Sequence, residues 1–340
     1  MGLSTLHHFY MFAKEKNKII LSIFFLLINC SKEKSTTNFK DVHVYTSLSD
    51  QYRIEEVLSS QLFDFKYYTP SPQKKYKPVM RDLSNFADGT LHSAVMLVAL
   101  QDSQDSLGMK LANRLGNNSD DNLLLINDYL SENQLLFLIK ADDPDALSLT
   151  LEMNKDWILS KLKENEFNKL MEYSFRGGIN DSISQLCQEN FNLDIKIQKD
   201  YQIIKESDND EYLWMGRGYP YRWILLYEDI QSHYNSKEST YRRIDEKFSS
   251  ILNINALPYE VQHELIRTKN DEIRKIYGVY GTTMDSKNIT GGPYISYFFD
   301  IPETNKVLIA SGFVNFPGKD KVFHIKELEY MLETAKIIKQ

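Results

Sequence analysis

The sequence predicts a mixed fold, α/β followed by α+β: an N-terminal α/β domain, a helical segment, and a C-terminal antiparallel sheet with helices. Three observations carry this. Strand-like and helix-like stretches alternate over 41–142. Helical periodicity without strand signals fills 143–192. From Leu193 onward, several strand-like runs precede each helix. The first pattern is that of a sheet with parallel strands, the third that of an antiparallel sheet. A chain of 340 residues also exceeds what one compact core usually holds. The expected organisation is 1–29 signal segment, 30–40 tether, 41–142 α/β domain, 143–192 helical connector and 193–340 antiparallel α+β domain.

The N-terminus comes first in order. Lys14, Lys16 and Lys18 precede a ten-residue apolar run, Ile19 to Ile28, interrupted only by Ser22. A spanning helix needs about twenty apolar residues, because each rises only ~1.5 Å across a ~30 Å hydrocarbon layer. The run therefore reads as a secretion signal rather than a transmembrane anchor. It ends Leu27-Ile28-Asn29-Cys30, which resembles the lipobox of bacterial lipoproteins. That resemblance implies cleavage before Cys30, a diacylglycerol on its thiol and an acylated new amine. Asn29 is bulkier than the Gly, Ala or Ser usual before such a cysteine. Two or more chains hold a protein to a bilayer where one holds it only marginally. The implied location is the bacterial cell envelope, and Ser31 after the cysteine points to the outer membrane. Met11 is an alternative start that gives a more usual signal length.

In the mature chain, Ser31 to Lys40 is a polar tether. A strand is expected over Val42–Thr46, a helix around Ile54, Val57 and Leu58, and a strand over Phe63–Tyr68. The three prolines of Thr69–Pro78 predict a loop. The apolar run Ala94–Leu100 predicts a central strand. A helix over Leu107–Leu115, a loop at Gly116–Asp120 and a buried strand at Leu135–Ile139 complete the first domain. Asp143 or Asp145 can cap the next helix, whose apolar face reads Leu159, Leu162, Phe167, Leu170 and Met171. Gly177-Gly178 breaks it, and a shorter helix carries Ile183, Leu186 and Cys187 on one face. That places Cys187 as a core thiol rather than a nucleophile. With Cys30 lipidated, Cys187 has no disulfide partner, so the core must hold the fold.

Strands are then expected at 201–206, 211–216 and 222–228, and a helix at 237–252 with Tyr241, Ile244, Phe248, Ile251 and Leu252 recurring at helical spacing. Further strands fall at 260–268, 273–280, 293–300 and 306–314. A closing helix from about Asp320 shows the stripe Ile325, Leu328, Leu332 and Ala335. This order predicts helices on one side of the sheet.

The segments Gly291-Gly292-Pro293-Tyr294-Ile295-Ser296-Tyr297, Val307 to Val314, Pro317-Gly318-Lys319 and Leu213-Trp214-Met215-Gly216-Arg217, with the Cys30 signal, resemble the domain of unknown function 4837 family of uncharacterised Bacteroidetes-type lipoproteins. The resemblance implies a location and an architecture and no activity. The strand-rich half also looks like the small PsbP and Mog1 sheet-and-helix domains.

Composition narrows function further. The mature chain holds 37 basic and 46 acidic residues, a net charge of −9, so nucleic acid is an unsuitable partner. Gly312 to Asp320 resembles a phosphate loop but has five residues between its glycines and an acid where Ser or Thr should bind magnesium; it reads as a turn with an Asp cap. Gly216-Arg217-Gly218-Tyr219-Pro220-Tyr221 lacks the third glycine and the following helix of a dinucleotide site. It reads as a hairpin with Arg217 and Arg222 exposed. Asp208-Asn209-Asp210-Glu211 lacks the glycine and distant Glu of a calcium loop. No histidine of the mature chain, at 43, 92, 233, 263 or 324, has a second ligand at metal-binding spacing, and His263-Glu264 lacks a zincin's second His. No catalytic, cofactor or metal residues are therefore assigned. The site expectations are Cys30 for lipid attachment and Trp214, Arg217 and Tyr219 for partner binding, since Arg and aromatics anchor interfaces. The expected function is a lipid-anchored envelope protein, non-catalytic, binding an envelope protein, glycan or lipid. The alternative is an envelope hydrolase whose site is assembled from scattered residues.

Overall fold

A computed structural model describes residues 40–67, 72–207, 211–257, 262–267, 272–282 and 291–338. Cys30, the signal segment and Asp208-Asn209-Asp210 lie outside the described residues.

The first half opens with β1 (Asp41–Thr46) and helix α1 (Gln51–Val57), which runs into one π-helical turn over Leu58–Leu62. Two short strands, β2 (Lys66–Tyr67) and β3 (Gln73–Lys74), form a hairpin. Then come β4 (Lys77–Asp82), β5 (Ala94–Leu100), α2 (Leu107–Leu115), β6 (Leu123–Asn127) and β7 (Leu135–Ala141). They build a five-stranded sheet in the order β4-β1-β5-β7-β6, parallel except for β6. All of β5 is buried, which is why its sequence is continuously apolar rather than alternating. Its even-numbered residues join one core with Ile54 and Leu58 of α1, and its odd-numbered residues pack with Ala112 of α2 on the other face.

Two expectations fail here. The strand foreseen over Phe63–Tyr68 shrinks to Lys66–Tyr67, because the Phe63 amide donates back to the Leu58 carbonyl and closes the preceding helical turn. The loop foreseen over Thr69–Pro78 contains β3 and the start of β4. Pro78 is tolerated because β4 is an edge strand with only β1 beside it.

Helix α3 (Pro144–Ser174) starts where the sequence says it should: Asp143 accepts from the Ala146 amide at 2.8 Å and Pro144 occupies the first turn. Its buried residues are Leu147, Leu151, Ile158, Leu162, Glu166 and Leu170. Of the expected face, Leu162 and Leu170 are buried, whereas Leu159, Phe167 and Met171 are half-buried. Leu147 to Leu162 pack into the core of the first half. Helix α4 (Asp181–Phe191) instead joins the second core through Ile183, Cys187 and Phe191. Burial pushes the Cys187 thiol up to about 12, so it stays protonated as a core group.

The second half comprises β8 (Leu193–Asp194), β9 (Gln202–Glu206), β10 (Tyr212–Arg217), β11 (Tyr221–Ile230), α5 (Lys237–Leu252), β12 (Ile254–Ala256), β13 (Gln262–Arg267), β14 (Glu272–Thr282), β15 (Gly291–Asp300), β16 (Lys306–Asn315), α6 (Val322–Glu333) and β17 (Lys336–Ile337). Eight strands form an antiparallel sheet in the order β12-β14-β15-β16-β11-β10-β9, with β13 also paired to β14. The expectation of helices on one side is wrong. Ile224 and Leu226 of β11 face α4 and α6, whereas Leu225 and Tyr227 face Ile244 and Phe248 of α5. Each strand residue alternates face, and a sheet buried on both sides needs cover on both sides. Burying residues such as Ile244 and Phe248 contributes about 1.5–3 kcal/mol each. Among the described residues no helix is long and apolar enough to cross a membrane.

Candidate functional site

The stripe Ile325, Leu328 and Leu332 turns α6 toward the large sheet, as its spacing requires. The opposite side of α6 is not solvated. Lys326, Glu327, Glu329 and Tyr330 are all buried, and this polar side meets α3 and the β2–β3 hairpin of the first half. Glu329 sits at the centre. One of its oxygens accepts from Tyr67 Oη at 2.6 Å; the other accepts from Tyr277 Oη at 2.6 Å, Lys275 Nζ at 2.9 Å and, more weakly, Lys75 Nζ at 3.4 Å. Burial would raise the Glu329 carboxyl, but the Lys275 and Lys75 charges and the two phenol donors outweigh it and hold the group well below the usual carboxylate range. Burial first, then the Glu329 charge, raises the Tyr67 phenol well above its ordinary value, so it donates and does not ionise.

A second ion pair lies beside it. Lys326 contacts Glu166 of α3 at 2.6 Å, while Tyr76 and Tyr330 donate to Glu166 at 2.7 and 3.1 Å. Burial lowers Lys326 to about 8, against the Glu166 charge that supports its proton. Such pairs need every partner, since one buried charge left alone costs several kcal/mol.

This cluster floors a cleft of about 690 Å³ between the two halves. Three ammonium groups line it: Lys75 after β3, Lys163 on α3 and Lys275 on β14. Apolar walls come from Phe63, Phe65, Leu159 and the Tyr76 ring. Lys163 and Lys275 share one oxygen of Glu333 at 2.9 and 3.3 Å. Lys75 lies 5.6 Å over the Phe65 ring and 5.8 Å over Tyr67. The volume falls within the ~300–1,000 Å³ of small-molecule sites. None of these residues is singled out by a motif. The one local signal is Lys275, which shares a strand face with the buried Tyr277, two residues on, where period-two alternation asks for an apolar side chain.

Trp214, Arg217 and Tyr219 do not converge. Trp214 packs on the α5 side of the sheet, its ring edge-on to Trp223 at 6.2 Å. Arg217 is engaged by Asp200 at 2.5 Å and Gln198 at 2.7 Å. Tyr219 is exposed in the turn, against Tyr221 and Phe316. The expected hairpin forms, but Arg222 is buried rather than exposed, because its guanidinium donates to Glu327 at 2.7 Å under α6. In the phosphate-loop look-alike, Gly312 lies inside β16 and Asp320 accepts from the Val322 amide at 2.9 Å. His43 stacks on His92, His233 meets Asp229 at 3.2 Å, and no group of three or more metal-ligating side chains forms among the described residues.

Comparison with known proteins bears on the second half. Residues 180–334 match the model of the family described as domain of unknown function (DUF4837). The chain carries a DUF4837 domain. That domain contains α6 and the Lys275 and Tyr277 positions of the cleft, whereas Tyr67, Lys75 and Lys163 lie outside the matched residues. No curated protein matches the chain. Solved structures similar to it include a mutant of the protein Mog1, at 7% identity and a TM-score of 0.31, covering 44% of this chain and 92% of that one. Another is the Saccharomyces cerevisiae Ran-binding protein Mog1p, at 7% identity and a TM-score of 0.32, covering 43% of this chain and 90% of that one.

Proposed function

We propose that this protein is a lipid-anchored component of the bacterial cell envelope that binds a ligand without transforming it, and that its binding site is the cleft between the two halves. The observation that carries the reading is that cleft itself: a concavity of about 690 Å³ with ammonium groups and aromatic walls on a rigid, ion-paired floor. Preformed pockets with a few placed polar groups are what binding proteins present. The lipid anchor rests on the Cys30 segment, and outer-membrane residence on Ser31. The second half reads as a module of the PsbP and Mog1 type, on the order of its strands and helices.

The hydrolase alternative has one observation in its favour, a buried carboxylate and ammonium beneath a pocket. Their chemistry opposes it. A general base needs a titration near working pH and a lone pair aimed at the substrate. Glu329 is held ionised well below that range, and all its donors come from the protein.

Two measurements test the proposal. Cys30→Ser should move the full chain from the envelope fraction to the soluble fraction; unchanged sedimentation with membranes overturns the anchor. A photoreactive phenylalanine analogue at Ser160, which lines the cleft, should give a crosslinked adduct in intact cells. The same analogue at Ile204, exposed on the far edge strand β9, should not. Equal or absent adducts at both positions overturn the cleft as the binding site.

A further inference from the structure

We propose that a second concavity, between the β6–β7 turn and α3, binds a neutral oligosaccharide. It holds about 240 Å³. Lys161, Glu164, Asn165 and Asn168 of α3 form one wall. With Trp157 they fall at i, i+4, i+7, i+8 and i+11, which is one face of the helix. The cleft takes Leu159 and Lys163 from another face of α3, so nothing here depends on the cleft being a binding site. Asn127, Asp128 and Asn133 of the turn form the opposite wall. The buried Gln134 holds that turn in place. Its side-chain oxygen accepts from the Leu130 amide at 3.1 Å, and its side-chain nitrogen donates to the Gly89 and His92 carbonyls at 2.7 and 2.8 Å. The hollow is thereby preformed, which lowers the ordering cost of binding.

The lining decides the ligand class. Among the described residues, the side chains of Asn127, Asn133 and Asn168 have no hydrogen-bond partner. Asn165 donates to the Ser93 carbonyl at 3.2 Å and keeps its oxygen as an acceptor. A primary amide offers two donors and one acceptor oxygen, and a hydroxyl both donates and accepts. A row of sugar hydroxyls therefore answers a row of amides. The lining charges are already matched: Glu164 pairs with Lys161 at 2.9 Å, and the Asp128 charge supports the proton of Lys169, which donates to the Asn133 carbonyl. An anionic ligand would meet Asp128 and Glu164. A hydrocarbon would strip water from the amides and replace none of its hydrogen bonds. Trp157 adds the second element, one turn or ~6 Å before Lys161. It is 40% exposed although its ring is edge-on to Phe137 at 6.0 Å. Phe137 is the register partner of Leu125, which lines the hollow, so the indole stands at its end. The electron-rich indole face attracts the C–H bonds of a sugar ring. A peptide backbone matches the amides but brings no such ring. The hollow is smaller than the ~300–1,000 Å³ of whole-ligand pockets, so it takes one ring of a chain while the next lies over Trp157.

The test uses the full mature chain and calorimetric titration with three neutral probes, cellotriose, maltotriose and chitotriose. At least one should bind saturably, with a Kd below about 1 mM. Trigalacturonate, which carries carboxylates, and trialanine, which carries amides without hydroxyls, should each bind about tenfold more weakly than that probe or worse. Asn168→Ala should weaken the probe about fivefold, the worth of one neutral hydrogen bond. Trp157→Ala should weaken it about tenfold. Trp157→Phe keeps a ring beside Phe137 and should recover part of that loss, which separates stacking from a folding defect. Arg242→Ala, exposed on α5, should change nothing. No binding of any neutral probe, tighter binding of trigalacturonate or trialanine, or unchanged affinity in both Asn168→Ala and Trp157→Ala overturns the inference.

Discussion

His324 shows how one side chain acquires a pH dependence from its neighbours. Its Nδ1 lies 2.6 Å from Arg222 Nη1, so the neutral ring accepts where a protonated ring would face a cation. Burial, then the Arg222 and Arg217 charges, lower it to about 4. An unfolded histidine titrates near ~6.5. Between those values the unfolded chain binds a proton that the folded chain refuses, so the stabilisation is complete above about pH 6.5 and lost as pH falls toward about 4. The loss attributable to His324 is about 3 kcal/mol. The urea midpoint should be flat above pH 7 and drop across that window, and His324→Asn, which keeps an acceptor for Arg222, should drop less. An identical pH profile in the variant would show that the ring is already protonated in the fold. His43, lowered to about 4 by burial, then by His92 and Arg81, titrates in the same direction and remains in that variant.

At the scale of the element, the glycine-rich start of β15 has a steric cause. A Cβ on Gly292 would stand 1.9 Å from the Val314 carbonyl oxygen, where β16 crosses close to the strand. No side chain can relieve that contact, because the obstacle is backbone. Pro293 follows just before the β15–β16 register begins at Tyr294 opposite Phe313, so its missing amide removes no rung on that side. Gly292→Ala should therefore cost about 3 kcal/mol, in the range of overpacked cores, read as a shift in denaturation midpoint. A loss under about 0.5 kcal/mol, the size of a neutral surface change, would show that the strands separate easily here. Helix α3 makes the complementary point. Its 31 residues span ~46 Å at ~1.5 Å each, long enough to lie in the first core at its start and to hold Glu166 against α6 further along.

Across the whole molecule, the two halves meet through buried charge as well as aromatic packing, with Phe65 and Tyr67 edge-on to Tyr277 and Phe167 against Tyr330. Tyr67 and Lys75 from the first half, and Lys275 and Tyr277 from the second, all converge on Glu329. Glu166 and Lys326 repeat the arrangement one turn earlier on α6. A buried ion pair adds little net stability over an apolar replacement, yet breaking one side of it costs about 3–5 kcal/mol. Glu329→Gln should lose that amount in a urea titration, because Lys275 is left buried and short of its main counter-charge. Glu329→Leu combined with Lys275→Met should recover most of it. A single-variant loss below 1 kcal/mol would mean that water already reaches the cluster. The same rigidity holds the cleft in one shape, which is what a preformed binding site requires.

The sequence by itself determined the local elements and their order. The Asp143-Pro144 start of α3, the helix over 237–252, the apolar run of β5 and the core placement of Cys187 follow from capping chemistry and from periods of 3.6 and 2, which act within a few residues. Tertiary structure alone decided that the polar side of α6 is buried, that Arg222 lies under it, that α5 covers the far face of the sheet, and that three lysines face one cleft. In the chain, Lys326, Glu327 and Glu329 read as the wet side of an amphipathic helix. Their burial depends on partners such as Tyr277 and Tyr67, 52 and 262 positions from Glu329. Hydrophobic periodicity reports which side chains leave water for a core, whereas a charged residue becomes buried only when distant groups arrive to neutralise it.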